Sequence, residues 1–194
     1  MREAWGNYSR VRLAVTGPMR RIGGMAMMEL PHTAGCLVCG RSNPIGMHLS
    51  LHVDGDGAVR TSFTPSPRHI GFDGLIHGGV LATVLDEAMV WSAIWASKRA
   101  CVAGEMNIRF RLPARVDQPL TCIAKVTLNR SRMIEATGEL LDAAGQIVAA
   151  ATGKYMPQAA DQTIAFQQSL MIETTTDSAR QILIRPQMNT DGHR

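Results

Sequence analysis

Residues 71–97 read GFDGLIHGGVLATVLDEAMVWSAIWAS, and the rest of the chain is organised around them. Between Gly78 and Ala96 there is no proline, and the only charges are Asp86 and Glu87. A helix is therefore the expected state. At about 100° per residue, Leu81, Leu85, Ala88 and Ser92 fall on one side, Val84, Trp91 and Trp95 on a second, and Gly79, Ala82, Val90 and Ala93 on a third. A helix apolar on every side must be enclosed by protein or by lipid. Two adjacent carboxylates would each cost roughly 2.5–3.5 kcal/mol in mid-membrane, and no second span accompanies this one, so enclosure by protein is expected.

On either side of this helix the texture is that of strands. Upstream, 46–53 and 58–63 flank Asp54-Gly55-Asp56-Gly57, whose Asp-Gly pairs suit an antiparallel hairpin turn. Prolines at 65 and 67 then mark a loop into the helix. Downstream, Asn107, Arg109 and Arg111 alternate with Ile108, Phe110 and Leu112, the period of a strand with one solvated face. Further strands are expected over 120–128, 133–141 and 146–156, separated by Asn129-Arg130-Ser131-Arg132 and Asp142-Ala143-Ala144-Gly145. Two strands, one long buried helix and four strands describe an α+β fold, an antiparallel sheet curved around a central helix.

The outer segments differ in composition. The chain has 194 residues and a formal charge of +4. Residues 1–29 hold five Arg against two Glu, whereas residues 30–157 hold twelve basic against ten acidic side chains. The basicity thus sits in the arm, and no basic, aromatic-bearing face marks a nucleic-acid platform. We expect a flexible arm over 1–29, one domain over 30–157, and a polar, mostly flexible tail over 158–194. The run Met25, Met27 and Met28, just before the organised region, suggests that the true start lies there, with the preceding residues disordered or mis-assigned. No signal-peptide pattern follows the N-terminal arginines, so the four cysteines are expected as reduced thiols in a cytoplasmic protein.

The helix start carries the first candidate chemistry. His77-Gly78-Gly79 presents backbone N–H groups with no intrahelical acceptor, and glycines let a ligand approach them closely. Such donors stabilise a carbonyl oxygen that becomes an oxyanion. Asp86 lies about 20° from Gly79 on the wheel, two turns on, among small neighbours. A carboxylate lining an apolar hollow is costly unless compensated, and its pKa is expected to rise. Asp86 is therefore the expected functional acid. Glu87, about 100° around the helix, is the reserve, free to reach solvent or to pair with Lys98 or an arginine.

Several stretches together resemble the hotdog-fold acyl-CoA thioesterases, in particular the branch related to the phenylacetate-pathway thioesterase. They are the run Gly74-Leu75-Ile76-His77-Gly78-Gly79 through Asp86-Glu87-Ala88, Cys36-Leu37-Val38-Cys39-Gly40 with Asn43-Pro44-Ile45-Gly46, and Met106-Asn107-Ile108-Arg109-Phe110 leading to Pro113. The resemblance covers roughly residues 35–155. It implies a five- to six-stranded sheet around the long helix, an acyl-CoA substrate, no cofactor, and a homodimer or a homotetramer built as a dimer of dimers. It also implies active sites at the subunit interface. There the Gly78 N–H of one chain polarises the thioester carbonyl, Asp86 of the other activates water or attacks directly, and His77 orients the corner. Gly79, Arg109 and Arg132 are the expected substrate-binding residues, the arginines meeting coenzyme A phosphates at the rim.

Two positions depart from the family pattern. Gly71 stands where many relatives carry Asn or Gln, and Ala103, beside Gly104, where relatives often carry Ser or Thr. His69 is the candidate partial substitute. The alternative function is a non-catalytic acyl-CoA-binding module. Cys36 and Cys39, with His32 and His48 nearby, have zinc-ligand chemistry, but a single C-x-x-C without a second pair favours a tight turn whose thiols pack under the sheet, so no metal is expected.

Overall fold

The computed structural model describes residues 20–22, 25–72 and 74–171. The expected helix is present as α1, Gly78–Ser97. It ends where Lys98 adopts a left-handed φ of 58° and donates its N–H to the Ile94 carbonyl. Before it come β1 (Arg20–Ile22), β2 (Met25–Glu29), β3 (His32–Thr33), β4 (His52–Asp54), β5 (Val59–Phe63), β6 (Ile70–Phe72) and β7 (Leu75–Ile76). After it come β8 (Cys101–Phe110), β9 (Leu120–Asn129), β10 (Ile134–Leu141), β11 (Ile147–Pro157), α2 (Ala160–Gln168) and β12 (Leu170–Met171).

Eight strands form one sheet in the order β1-β2-β4-β5-β9-β10-β11-β8, with every neighbouring pair antiparallel. The sheet wraps α1, as a hotdog fold requires. Along β10 the alternation is strict: Ile134, Ala136, Gly138 and Leu140 are buried. Gly138 permits the closest approach of helix and sheet, because a Cβ there would stand 3.1 Å from both Leu85 and Met89. Among the described residues α1 alone has the length and hydropathy of a membrane span, and ten of its side chains are buried in the protein core.

Three expectations about segment boundaries change. The sheet has eight strands because Arg20–Ile22 and Met25–Glu29, both assigned to the arm, join it: β1 pairs with β2, and β2 pairs with β4 and buries Met27 and Met28. Unbranched methionines fill the gap over that edge, and the pairing satisfies backbone groups that β4 would otherwise expose. The strand expected over 46–53 shrinks to β4, since Met47 N–H and Leu49 N–H bond to the Leu37 and Val38 carbonyls and His48 has a φ of 53°. The first part of the tail is docked: Thr163 is buried and accepts from Ala100 N–H at 3.3 Å, the Phe166 ring lies 6.0 Å from Trp91, and Leu170 is buried. The remainder of the arm, residues 1–19 and 23–24, and of the tail, residues 172–194, lies outside the described residues.

Candidate active site

The helix start is built by a tight hairpin. β6 pairs with β7, and His77 N–H reaches the His69 carbonyl at 2.9 Å. Gly71 lies against His77 so closely that a Cβ there would meet His77 Cα at 3.1 Å. His77 is extended at the N-cap position, and its Nδ1 accepts from Gly79 N–H at 2.9 Å. A side chain at residue 79 would sit 2.9 Å from that nitrogen, which is the packing reason for the second glycine. The Gly79 N–H is thus already used, and the Val80 N–H bonds to the His77 carbonyl. Of the first-turn amides, that of Gly78 stays without an acceptor among the described residues, beside the Phe110 ring.

Two turns along α1, Asp86 is half-buried on the stripe it shares with Gly79, Ala82 and Val90, which are all at least partly exposed, while Ala93 further along the stripe is fully buried. The helix is therefore enclosed on most of its girth and partly open along this stripe from Gly79 to Val90. Burial raises the Asp86 carboxyl above its ordinary range, and the Tyr155 hydroxyl, donating to Oδ1 at 3.0 Å, opposes that rise. Tyr155 itself is fully buried, its ring lying over Gly153, where a Cβ would stand 3.0 Å from the hydroxyl. A register shift between Lys154 and Tyr155 skips Gly104, so a β-bulge lies on β8 directly opposite this part of β11. Sequence reasoning missed Tyr155. A buried tyrosine two positions after a glycine on a strand was the available signal, but nothing in the chain linked it to Asp86.

Glu87 neither reaches solvent freely nor pairs with Lys98. Its Oε1 accepts from Trp91 Nε1 at 3.0 Å and lies 3.7 Å from Cys36 Sγ. Burial pushes its carboxyl up to about 7. Lys98 instead places its Nζ 3.2 Å from the centre of the Trp95 ring. Beside Glu87, Cys36 is drawn down to about 5, first by its hydrogen bond with Cys39 and then by the Cys39 and Val38 amides, against the effect of burial. Cys39 is pushed up by the same Cys36 partner and by burial. All four cysteines are free thiols. His69 uses Nδ1 to accept from Ser66 N–H at 2.9 Å, and burial, then Arg68, lowers its pKa.

The remaining site candidates separate. Arg109 is exposed on β8 next to Phe110, hence near the helix start. Arg132 is exposed in the β9–β10 turn, where Ser131 accepts from Arg99 just past the end of α1. A helix of 20 residues is about 30 Å long, so within one chain Arg132 lies at the far end from Gly78.

Residues 73–149 match the family model of the Thioesterase superfamily. This segment is similar to the thioesterase superfamily, and the antiparallel sheet around one long central helix is that of a hotdog fold. A crystal structure of a thioesterase superfamily protein is 27% identical, with a TM-score of 0.60, over 63% of this chain and 60% of that one. The present chain therefore aligns with less than two thirds of that relative's length. The PaaI protein of the E. coli phenylacetic acid degradation operon shares 20% identity and a TM-score of 0.55, over 58% of this chain and 81% of its own. A hypothetical thioesterase from Streptococcus pneumoniae, solved with coenzyme A, shares 18% identity and a TM-score of 0.51, over 53% and 82%. At these last two identities the likeness is one of fold. No curated protein matched the chain.

Proposed function

We propose that this hotdog domain hydrolyses acyl-CoA thioesters as a homodimer with composite active sites. The observation that carries the reading is Asp86, a half-buried carboxyl with raised pKa, held by Tyr155 on a partly open stripe of small residues. Gly78 and Asp86 are eight residues apart in α1, or about 12 Å along its axis. General-base catalysis requires hydrogen-bond reach, directly or through one water, so the two groups of one chain are too far apart to serve one carbonyl. A second chain laid alongside brings its own Asp86 to the first chain's Gly78. The surface for it is present: β8 is an edge strand, with Val102 50% and Phe110 54% exposed.

In this mechanism the thioester carbonyl oxygen accepts from Gly78 N–H, and His77 keeps the neighbouring Gly79 amide and the helix start in place. Asp86 removes a proton from water as the water oxygen bonds to the carbonyl carbon. The carbon–sulfur bond then breaks, and the proton passes from Asp86 to the leaving thiolate, releasing free acid and coenzyme A. Direct attack by the Asp86 carboxylate is the other route open to the same geometry. Arg109 and Arg132, on the exposed rim, meet the phosphates, Arg132 from the partner chain.

Free-thiol release from a panel of acyl-CoA substrates tests the proposal. Asp86→Ala should lose about 10²–10⁴-fold in turnover. Equal turnover by the two proteins would remove Asp86 from the mechanism. Tight acyl-CoA binding with no thiol release by the unaltered chain would identify a binding module instead. A fully active monomer in sedimentation would exclude the composite site.

A further inference from the structure

The loop between β3 and β4 brings Cys36 and Cys39 onto a second flank of α1, about 100° around from the chemistry just described. The two Sγ atoms and a carboxylate oxygen of Glu87 all lie within 4.8 Å of one another. From this convergence we infer that Cys36, Cys39 and Glu87 form a zinc site pinning the 34–46 loop to the middle of the central helix, with its fourth position open to water or an external ligand.

The distances suit such an ion. Zinc takes thiolate sulfur at about 2.3 Å and carboxylate oxygen at about 2.1 Å, so a tetrahedral site sets its S···O edges near 3.6 Å. Cys36 Sγ and Glu87 Oε1 stand 3.7 Å apart. The loop is shaped as a metal-binding knuckle. Val38 N–H and Cys39 N–H both point at Cys36 Sγ, at 3.3 and 3.4 Å, donors suited to a sulfur that carries negative charge. Gly40 N–H closes the turn on the Cys36 carbonyl at 3.1 Å. Only glycine fits there, because a Cβ would stand 2.5 Å from Cys36 O and 2.6 Å from Ala34 O.

Glu87 supplies the independent reason. Its hydrogen-bond partners are Trp91 Nε1 and the thiols, and no cation pairs with it among the described residues. A carboxylate drawn this far from water keeps its charge only beside a positive partner and otherwise takes up a proton. A metal ion provides that partner, and Trp91 then orients the ligating carboxylate from outside, as second-shell donors do. A redox dithiol fits less well. Reactive C-x-x-C pairs draw on a helix N-terminus, whereas this pair lies in a turn and faces a third ligand from another element. The partly exposed Cys36 leaves an entry path.

The test is optical and does not depend on thioester turnover. The full chain, reduced and metal-depleted, is titrated with Co²⁺ alone. Thiolate-to-cobalt charge-transfer absorption and tetrahedral visible bands should saturate at one equivalent and be displaced by Zn²⁺. Glu87→Gln, close in shape to the natural residue, should keep the charge-transfer absorption but weaken cobalt binding at least ~10-fold. Cys101→Ser should leave both unchanged. Absence of the charge-transfer absorption in the unaltered, folded chain would overturn the assignment, and a Cys36–Cys39 disulfide forming in its place would make the pair a redox couple. Persistence of the bands in a Cys36→Ser, Cys39→Ser double variant would equally overturn it.

Discussion

Asp86 and Glu87 are neighbours in sequence and point about 100° apart on one helix, yet they meet different surroundings. Asp86 faces a stripe of small, partly exposed residues and receives one hydroxyl, from Tyr155 on β11. Glu87 faces an indole N–H from its own helix and two thiols from a loop. Burial raises the pKa of both. Their surroundings nevertheless diverge, because the Asp86 stripe stays partly exposed while the Cys36 and Cys39 thiols close on Glu87. A raised carboxyl by itself marks an unmet need for a proton or a cation. Which of the two answers that need is decided by the element packed opposite.

The strongest way to break the comparison is to neutralise Asp86 while keeping its shape. Asp86→Asn should lose about 10²–10⁴-fold in thiol release and, at neutral pH, gain about 1 kcal/mol, or a few degrees of Tm. The sign follows from the raised pKa: the folded protein binds the Asp86 proton more tightly than the unfolded chain, so stability falls as pH climbs from the ordinary carboxylate value of 3.8 through the raised one. The advantage of the amide should be full above the folded pKa and vanish below pH 3.8. Thermal melts at several pH values check it, and a less stable Asp86→Asn at pH 7 would show that Tyr155 outweighs burial. On the other flank, Gly40→Ala should cost about 2 kcal/mol through overpacking against the Cys36 and Ala34 carbonyls. Its thiol release below the melting transition should stay at the level of the unaltered chain. Coupled loss of both would mean that the two flanks are not independent.

Much of this architecture was legible because α1 and the long strands have clear periods. The helix, β9, β10 and β11 fall where the pattern of apolar residues put them, to within a residue or two. The wheel also separated Asp86 from Glu87. Legibility failed where partners lie far apart in sequence. Tyr155 meets Asp86 across 69 residues and Cys36 meets Glu87 across 51, and no local pattern encodes either meeting. Methionine-rich β2 escaped because unbranched side chains have little strand propensity of their own; its pairing with β4 is a tertiary effect. The Gly-Gly pair was legible as a site of close approach. That His77 would occupy one of the two amides depended on an imidazole conformation that only the folded hairpin imposes.

The finest test of the comparison concerns Tyr155, the one donor that distinguishes the Asp86 flank. Tyr155→Phe removes a hydroxyl and leaves the ring over Gly153, so the fold should survive with a small stability loss. The Tyr155 hydrogen bond favours the charged form of Asp86 and opposes the effect of burial. Without it, the Asp86 pKa should climb further, and the base form needed to activate water should appear only at higher pH. The acid limb of the kcat/KM profile should therefore move to higher pH, with rates below that limb falling about 10-fold for each unit moved. At a pH well above the limb the loss should shrink towards the cost of poorer aim alone. If Tyr155 instead donated a proton to the leaving group, the loss would persist at every pH and the acid limb would stay in place. Glu87→Gln should leave that limb where it is, since its carboxyl faces the thiols and not the substrate stripe. A shift of the limb in that variant would mean that the two acids titrate as one unit, and the division between the flanks would fail.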